Sequence, residues 1–264
     1  MKFGCHAVMF AGNLLTDMEG TIKAIKSTGF RGIECGNRFI PLDQQPRLLS
    51  LLEAEGLELA AMMYGYVNWE ADPKTGWDGL RKQAEFTGKY FPNKRLNVSF
   101  IPDEQVDCRK MAEVFNEAAN ICNFYGVSLN YHNHLSEFAN RGKFIYTLLD
   151  TAPSLNFAYD LGWVCRAGFD PLKLLEDTGK RCTYVHLRDP KTERAEAFTL
   201  EAMKALPLFP DFGTGETDLQ SQIDYLKNHF GPDDWAVVEH EGGEPDVQRY
   251  IRAKEVINRL CTIH

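Results

Sequence analysis

Several features that mark other classes of protein are missing from this 264-residue chain. No apolar run approaches the roughly 18 residues that a membrane-spanning helix needs. Near the N-terminus, Asn13 and Asp17 interrupt the sequence before the apolar core of a secretion signal is complete. The seven cysteines are odd in number and widely scattered, and none belongs to a Cys-x-x-Cys pair, which is typical of reduced thiols. These absences predict a cytoplasmic protein with no membrane segment.

Positive charge is also scarce. The chain has 29 Lys and Arg residues against 37 Asp and Glu residues, and its formal net charge of -8 is not concentrated in an acidic tail. Because such a surface repels a phosphate backbone, we expect no nucleic-acid partner. No linker rich in Pro, Gly or Ser divides the chain, and 44% of its residues are hydrophobic. We therefore predict one domain with a substantial core over residues 1–264.

Strand-like segments alternate regularly with helix-like segments along the chain. The predicted strands cover residues 2–9, 32–35, 59–64, 95–100, 127–132, 155–160, 181–187 and 235–239. Helical patterns follow them at residues 17–28, 45–54, 77–90, 106–125, 142–149, 171–176, 218–229 and 245–260. Strict alternation implies a parallel sheet, and eight units of about 33 residues each are near the minimum size of a βαβ crossover. The sequence predicts an α/β fold, a single (β/α)8 TIM barrel.

The alternative, an open doubly wound sheet, lacks its cofactor fingerprint. Gly213-Thr-Gly215 has no third glycine and follows Pro210-Asp-Phe rather than a strand, and no phosphate-binding G-x-x-x-x-G-K-[S/T] loop is present. The long irregular connection at residues 190–215, after the seventh strand, is instead expected to form a lid or to bind a partner. The partner would be a second copy of the chain or another subunit.

Three predicted strands end on side chains that bind metals. Asp160, His186 and Glu239 close the sixth, seventh and eighth strands, and the C-terminal strand ends of a barrel converge on one mouth. Carboxylate and imidazole together suit Mn²⁺, Mg²⁺, Co²⁺, Fe²⁺ or Zn²⁺. Taken singly, the carboxylates would be helix caps or ion-pair partners and His186 a core histidine. Their coincidence at successive strand ends favours a metal site.

The fifth strand ends in the sequence Tyr-His-Asn-His-Leu-Ser-Glu-Phe, residues 131–138. His132 and His134 share one face if the strand continues. Because imidazole titrates near neutral pH, one of them is a candidate catalytic base and the other a ligand for metal or substrate. Glu137, three residues after His134, is a candidate metal ligand.

Further polar and aromatic residues are expected at the same mouth. Arg188 returns to the side of the strand that His186 occupies, so it is a candidate catalytic cation for an oxyanion or a hydroxyl, or else part of a structural ion pair with Asp160 or Asp189. The candidate substrate-binding residues are His6, Glu34 and Trp163. Trp69 and Trp77 are further candidates for stacking on a sugar.

The ordered set YHNHLSEF, AYDLGWVCRAGFDPLKLL, RCTYVHLRD, GTGETD and WAVVEHE resembles the xylose-isomerase-like (sugar phosphate isomerase/epimerase) TIM-barrel superfamily over nearly the whole chain. The resemblance implies a divalent metal, with Mn²⁺ as the first expectation, held by Glu, Asp, His and Glu from four strand ends. The last three match Asp160, His186 and Glu239.

Two positions depart from the pattern of that superfamily. The first glutamate position falls at Asn130, which carries no carboxylate, so either three protein groups and solvent hold the metal or a neighbour supplies the fourth ligand. The candidates are His132, His134 and Glu137, and we expect Glu137. Trp163 stands where many relatives carry a histidine, which makes a plain copy of a ketose epimerase site doubtful.

The subgroup with this fifth-strand motif resembles enzymes that act on keto-sugars, inositol derivatives and 3-keto-glycosides. The resemblance implies a metal-dependent isomerase/epimerase, dehydratase or β-eliminating lyase that removes an α-proton to form an enediolate. Two other functions compete with this hypothesis. A barrel that has lost one ligand would serve as a non-catalytic sugar-binding or accessory subunit. An endonuclease IV-like phosphodiesterase would need more strand-end histidines than the chain offers, since only His6 is left outside the segments already used.

Overall fold

Eight parallel strands form a closed barrel in the computed structural model, which describes residues 1–65, 73–191 and 194–262, without the side chains of 73–75. Each strand pairs with its neighbours in sequence, and β8 pairs with β1. The strands are β1 Lys2–His6, β2 Gly32–Gly36, β3 Glu58–Met63, β4 Arg95–Ser99, β5 Ser128–His132, β6 Asn156–Asp160, β7 Cys182–Leu187 and β8 Trp235–Val238. The predicted (β/α)8 TIM barrel is confirmed.

Helices follow the strands in sequence, and their apolar faces pack against the barrel. Within the described residues they are α1 Ala11–Thr16, α2 Met18–Lys26, α3 Gln45–Ala54, α4 Pro73–Tyr90, α5 Cys108–Phe124, α6 Ala139–Thr151, α7 Leu161–Arg166, α8 Pro171–Thr178, α9 Leu200–Ala205, α10 Leu219–His229 and α11 Val247–Thr262. No helix of the described chain has the length and apolarity to cross a bilayer.

The structure differs from the predicted elements in a few places. The first strand was expected to reach residue 9, but it ends at His6, because the His6 ring nitrogen Nδ1 accepts a hydrogen bond from the Val8 N–H and starts a 3-10 helix. The short helices α7 and α9 were not predicted. Helix α6 contains a kink at Asn140–Gly142, where φ is 50°, 61° and 75°, so its regular part begins near the predicted start.

The lower half of the barrel interior is filled around one large side chain. Trp235 is fully buried there against Tyr184, Ala60 and Ala158. Gly4 and Gly32 lie side by side on β1 and β2 and leave space for the indole, since a Cβ on Gly32 would lie 2.8 Å from the Trp235 ring. Small residues on one side of the interior therefore compensate for the tryptophan on the other.

Replacing Gly32 by alanine is expected to destabilise the barrel. The added methyl group would collide with the Trp235 ring and with the Glu58 carbonyl, and overpacking of this kind costs about 1–3 kcal/mol. Urea unfolding measures the change in the free energy of unfolding. Gly12→Ala is the matched control, because a Cβ there meets nothing within 4 Å and alanine favours the helix. Equal stability of the two variants would contradict the expectation.

Candidate metal and active site at the barrel mouth

Four side chains from four neighbouring strands meet at the C-terminal end of the barrel. His132 ends β5, Asp160 ends β6, His186 lies near the end of β7, and Glu239 directly follows β8. The parallel register places Asp160 beside His186. All four are buried, and each offers a ligand atom within 4.8 Å of the other three. The convergence expected for Asp160, His186 and Glu239 is thus present, with His132 as the fourth member.

Three of the ligand atoms that face one another here are held in ion pairs. Asp160 Oδ2 lies 2.8 Å from Arg188 Nε, and His186 Nδ1 lies 2.7 Å from Glu239 Oε2. His132 Nδ1 is buried and has no hydrogen-bond partner in the described part of the chain. The second ligand atom of two of the residues is already engaged, since Asp160 Oδ1 accepts from the Trp163 N–H at 3.0 Å and His186 Nε2 lies 2.5 Å from Glu34. Two carboxylate oxygens and two imidazole nitrogens are a suitable donor set for a divalent cation.

The electrostatics of the site also favour a cation. Burial alone lowers the pKa of His186, but the carboxylates of Glu34 and Glu239 raise that pKa to about 10. His186 Nδ1 lies 2.7 Å from Glu239 Oε2, so a proton between these two atoms and a divalent cation compete for the same lone pairs. Burial and the neighbouring His186 hold the pKa of His132 well below its usual value, so His132 stays neutral, as a metal ligand must be.

Arg188 is held by three carboxylates, one at the end of β6 and two just after β8. Its Nε lies 2.8 Å from Asp160, Nη2 lies 2.7 Å from Glu239, and Nη1 lies 2.8 Å from Glu241. The guanidinium group also lies 4.6 Å from the ring centre of Phe209. Arg188 therefore fixes the orientation of two of the four metal candidates, and the structural ion pair with Asp160 that the sequence left open is present. Its catalytic role stays a prediction.

Glu137 lies outside the group of four. Its Oε1 accepts hydrogen bonds from the Tyr131 hydroxyl at 3.1 Å and the His134 N–H at 3.0 Å, and its Oε2 accepts from the Ser136 hydroxyl at 3.1 Å. A fully buried carboxylate with three donors holds the turn after β5 in place. Its assignment as a metal ligand stays a prediction, and the geometry favours His132 instead.

A cavity of about 240 Å³ opens above the group of four. This volume is below the range of drug-sized pockets, which begins at about 300 Å³, and suits a small ligand such as one sugar ring. One part of the wall is polar and contains His6, His132, His134, Glu239 and Glu241. The other part is more apolar and includes Val8, Leu14, Phe39 and Met63. Two larger grooves, of about 520 and 510 Å³, lie at the opposite end of the barrel, away from the four residues.

Comparison with known proteins places this barrel in a family. A family model described as the xylose isomerase-like TIM barrel matches residues 22–260. The chain belongs to the xylose isomerase-like TIM barrel family. Inosose dehydratase from Geobacillus kaustophilus is 28% identical to it over 252 residues, which cover 87% of this chain and 75% of that protein.

Solved structures agree with the family's fold. A sugar phosphate isomerase/epimerase from Parabacteroides distasonis superposes with a TM-score of 0.74 at 15% identity, covering 96% of this chain and 92% of that one. L-Ribulose 3-epimerase gives a TM-score of 0.74 at 17% identity, covering 98% and 94%. At these identities the likeness shows the fold alone.

Two of the expected substrate-binding residues lie away from the cavity wall of this family member. Glu34 is fully buried beneath His186. Trp163 packs edge-on against Phe209, with ring centres 4.9 Å apart. His6 does line the cavity, whereas Trp69 lies outside the described residues. All of these assignments stay predictions. Arg38, which also borders the cavity, was not predicted from the sequence, and neither was Phe209. Both come from loops that have no strand-end pattern.

The described part of the connection after β7, residues 190–191 and 194–215, folds back onto the mouth of the barrel. The buried Asp189 carboxylate accepts hydrogen bonds from the N–H groups of Gly213 at 3.0 Å, Gly215 at 2.7 Å and Thr217 at 3.2 Å, and from the Thr217 hydroxyl at 2.7 Å. A Cβ on Gly215 would collide with Asp189. The absence of a side chain at Gly215 therefore allows the loop backbone to pack closely against Asp189. A partner subunit on this loop stays a prediction.

Replacing Asp189 by asparagine is expected to loosen this loop. The new amide nitrogen would face backbone N–H donors, and leaving buried donors unsatisfied costs about 1–3 kcal/mol. Limited proteolysis should cut residues 190–215 faster, and urea unfolding should show the lower stability. Asp218→Asn is the control, because Asp218 caps α10 at an exposed position where asparagine caps equally well. A loop that resists protease equally in both variants would refute the anchoring role of Asp189.

Proposed function

We propose that this protein is a divalent-metal-dependent isomerase/epimerase or lyase that acts on a keto-sugar or a related sugar derivative by removing a proton next to a carbonyl group. The observation that carries the proposal is the convergence of four buried side chains, His132, Asp160, His186 and Glu239, whose ligand atoms all lie within 4.8 Å of one another. A divalent cation bound there, with Mn²⁺ as the first candidate, would stabilise the negative charge that develops on the substrate's oxygens.

His134 is the best-placed catalytic base. Its side chain is 21% exposed, borders the cavity and is not one of the four metal candidates. The Glu137 carboxylate binds its backbone N–H and lies 3.8 Å from its ring Nδ1, so the turn after β5 orients the imidazole. With His132 assigned to the metal, His134 remains as the group of this pair that takes the α-proton.

Arg188 acts in this proposal through the carboxylates it holds. It is only 2% exposed and does not border the cavity, so its ion pairs with Asp160 and Glu239 position two metal candidates. Its third partner, Glu241, is on the cavity wall and 43% exposed, and offers a hydrogen-bond acceptor to substrate hydroxyl groups. The apolar wall around Phe39 and Met63 would pack against the carbon face of the ring.

Isomerisation, epimerisation and dehydration share the first step and differ in the second. Return of the proton to the substrate gives an isomer or epimer, whereas departure of a β-hydroxyl group as water gives an enone. The dehydratase name of the Geobacillus relative favours dehydration of a keto-inositol, and the epimerase name of a structural neighbour favours the other branch. The chemistry of the four residues supports both, so the substrate panel must include both classes.

The test is NMR of candidate substrates in deuterated water with metal-free protein reloaded with Mn²⁺, followed by removal of the metal before the spectra are recorded. Keto-inositols, 3-keto-glycosides and free ketoses form the panel. Deuterium at the α-carbon without loss of water indicates isomerisation or epimerisation, and loss of water with formation of a conjugated enone indicates dehydration. His134→Gln should slow either reaction by about 10²–10⁴-fold while the metal stays bound. Saturable sugar binding without exchange or dehydration anywhere in the panel would favour the non-catalytic alternative.

A further inference from the structure

A chain of hydrogen bonds runs through the barrel interior towards the candidate metal site. The Ser128 hydroxyl donates to Asn130 Oδ1 at 2.8 Å, Asn130 Nδ2 donates to Asn97 Oδ1 at 3.0 Å, and Asn97 Nδ2 donates to Glu34 Oε1 at 2.8 Å. Glu34 Oε2 then lies 2.5 Å from His186 Nε2. The chain links β5, β4, β2 and β7, and both asparagines and the glutamate are fully buried.

The direction of this chain is fixed at one end. Asn130 Nδ2 also donates to the Leu96 backbone carbonyl at 3.2 Å, and a carbonyl oxygen can only accept. The Asn130 nitrogen must therefore face β4, which obliges Asn97 to present its oxygen to Asn130 and its nitrogen to Glu34. Glu34 consequently receives a donor and has to act as an acceptor.

The other oxygen of Glu34 is also an acceptor. It accepts from the Tyr184 hydroxyl at 2.6 Å and lies 2.5 Å from His186 Nε2. Since Asn97 and Tyr184 each donate to one Glu34 oxygen, the oxygen that faces His186 is an acceptor. With this acceptor on one side of its ring, His186 carries a proton on Nε2. The lone pair available for a metal is then on Nδ1, the atom that belongs to the group of four.

We propose that Glu34 is the positioning residue of the candidate metal centre, because it holds His186 as the Nε2–H tautomer and so turns Nδ1 towards His132, Asp160 and Glu239. This inference rests on the proposed function, since it requires a cation at those four residues. It also replaces the expectation that Glu34 binds substrate, because the carboxylate is fully buried and away from the cavity wall. Metal-binding histidines almost always donate their second N–H to such a partner.

A second cation between His6, Glu34 and His186 is the competing explanation for this cluster, since ligand atoms of these three also lie within 4.8 Å of one another. The hydrogen bonds argue against it. His6 Nδ1 accepts from the Val8 N–H at 3.0 Å, so the proton of its neutral ring is on Nε2, which faces Glu34 at 3.7 Å. Both Glu34 oxygens already accept hydrogen bonds, and Oε2 also faces His186 Nε2 at 2.5 Å. Protein contacts therefore hold the trio together without a cation.

The first test compares Glu34→Gln with Tyr184→Phe. Glutamine offers an amide nitrogen in place of one acceptor, whereas phenylalanine removes one hydrogen bond to the same Glu34 oxygen and leaves the carboxylate. We expect Glu34→Gln to weaken Mn²⁺ and Zn²⁺ binding by about 10–100-fold, measured by competition with a fluorescent chelator, and Tyr184→Phe to bind like the wild type. Unchanged affinity in Glu34→Gln, or equal losses in both variants, would overturn the role of Glu34.

The second test needs no variant and is independent of whether Glu34→Gln folds. Zn²⁺-loaded wild-type protein carrying ¹⁵N-labelled histidine is examined by NMR for the tautomer of His186. The proposal expects the proton on Nε2 and the metal on Nδ1, and a proton on Nδ1 in the loaded protein would overturn it. A proton on Nδ1 in metal-loaded protein would overturn only the role of Glu34. Wild-type protein that binds no divalent metal would overturn the proposed function as well, so the two failures are distinguishable.

Discussion

Replacing Glu239 by glutamine or His186 by alanine is expected to remove the bound divalent metal and, with it, the exchange of the substrate α-proton. Each change removes a ligand atom from one of the four side chains that converge at the barrel mouth. Loss of a residue that hydrogen-bonds to a metal ligand already lowers metal affinity by about 10–100-fold. Loss of a ligand itself should lower the affinity by more than that. Elemental analysis of purified protein and titration with a competing chelator measure the metal, and deuterium uptake measures the reaction.

The control for these variants is His229→Asn. His229 lies at the end of α10, exposed, and its ring stacks on Tyr225, far from the barrel mouth. The control variant removes an exposed imidazole outside the candidate metal site, and should leave both metal content and exchange unchanged. Thermal unfolding of all three variants without metal separates folding defects from lost ligands. Full metal retention in both His186→Ala and Glu239→Gln would disprove the metal site.

The barrel was predictable from the sequence because its signals are local. Apolar periodicity and a following glycine define a helix such as Gln45–Ala54, which the prediction matched at both ends. Helix α7 was missed because it has only six residues and begins directly after Asp160, the last residue of β6, whose carboxylate caps it. The kink in α6 was missed because it depends on positive φ at Asn140 and Arg141, which their residue types do not require.

Part of the site was equally accessible from the sequence. In a closed parallel barrel the strand ends must converge, which brings Asp160, His186 and Glu239 together whatever the details of packing. The role that we propose for Glu34 was not accessible, because its hydrogen bond to His186 joins residues 152 positions apart. Its acceptor role also depends on Asn97 and Asn130, two amides inside apolar strands whose partners no local pattern reveals.

The choice between His132 and Glu137 as the fourth candidate ligand depends on a local turn that the sequence pattern does not specify. His132 is still in β5 and points to the group of four, whereas the chain turns at Leu135 and places Glu137 beneath the backbone N–H of His134. If the strand had continued past His132, the alternation of its side chains would not have distinguished His132 from Glu137 as a candidate ligand. A pair of variants distinguishes them, because the two residues have different partners.

Loss of a hydrogen-bond partner of a metal ligand weakens metal binding by about 10–100-fold, and we expect His132→Ala to weaken it by more than this. Glu137→Gln should keep the metal but lower the free energy of unfolding. The glutamine nitrogen would face the donors of Tyr131, His134 or Ser136, and one unsatisfied buried group costs about 1–3 kcal/mol. Chelator competition measures the affinity, and urea unfolding without metal measures the stability. If Glu137→Gln instead loses the metal while His132→Ala retains it, Glu137 is the fourth ligand and His132 is free to act as a base.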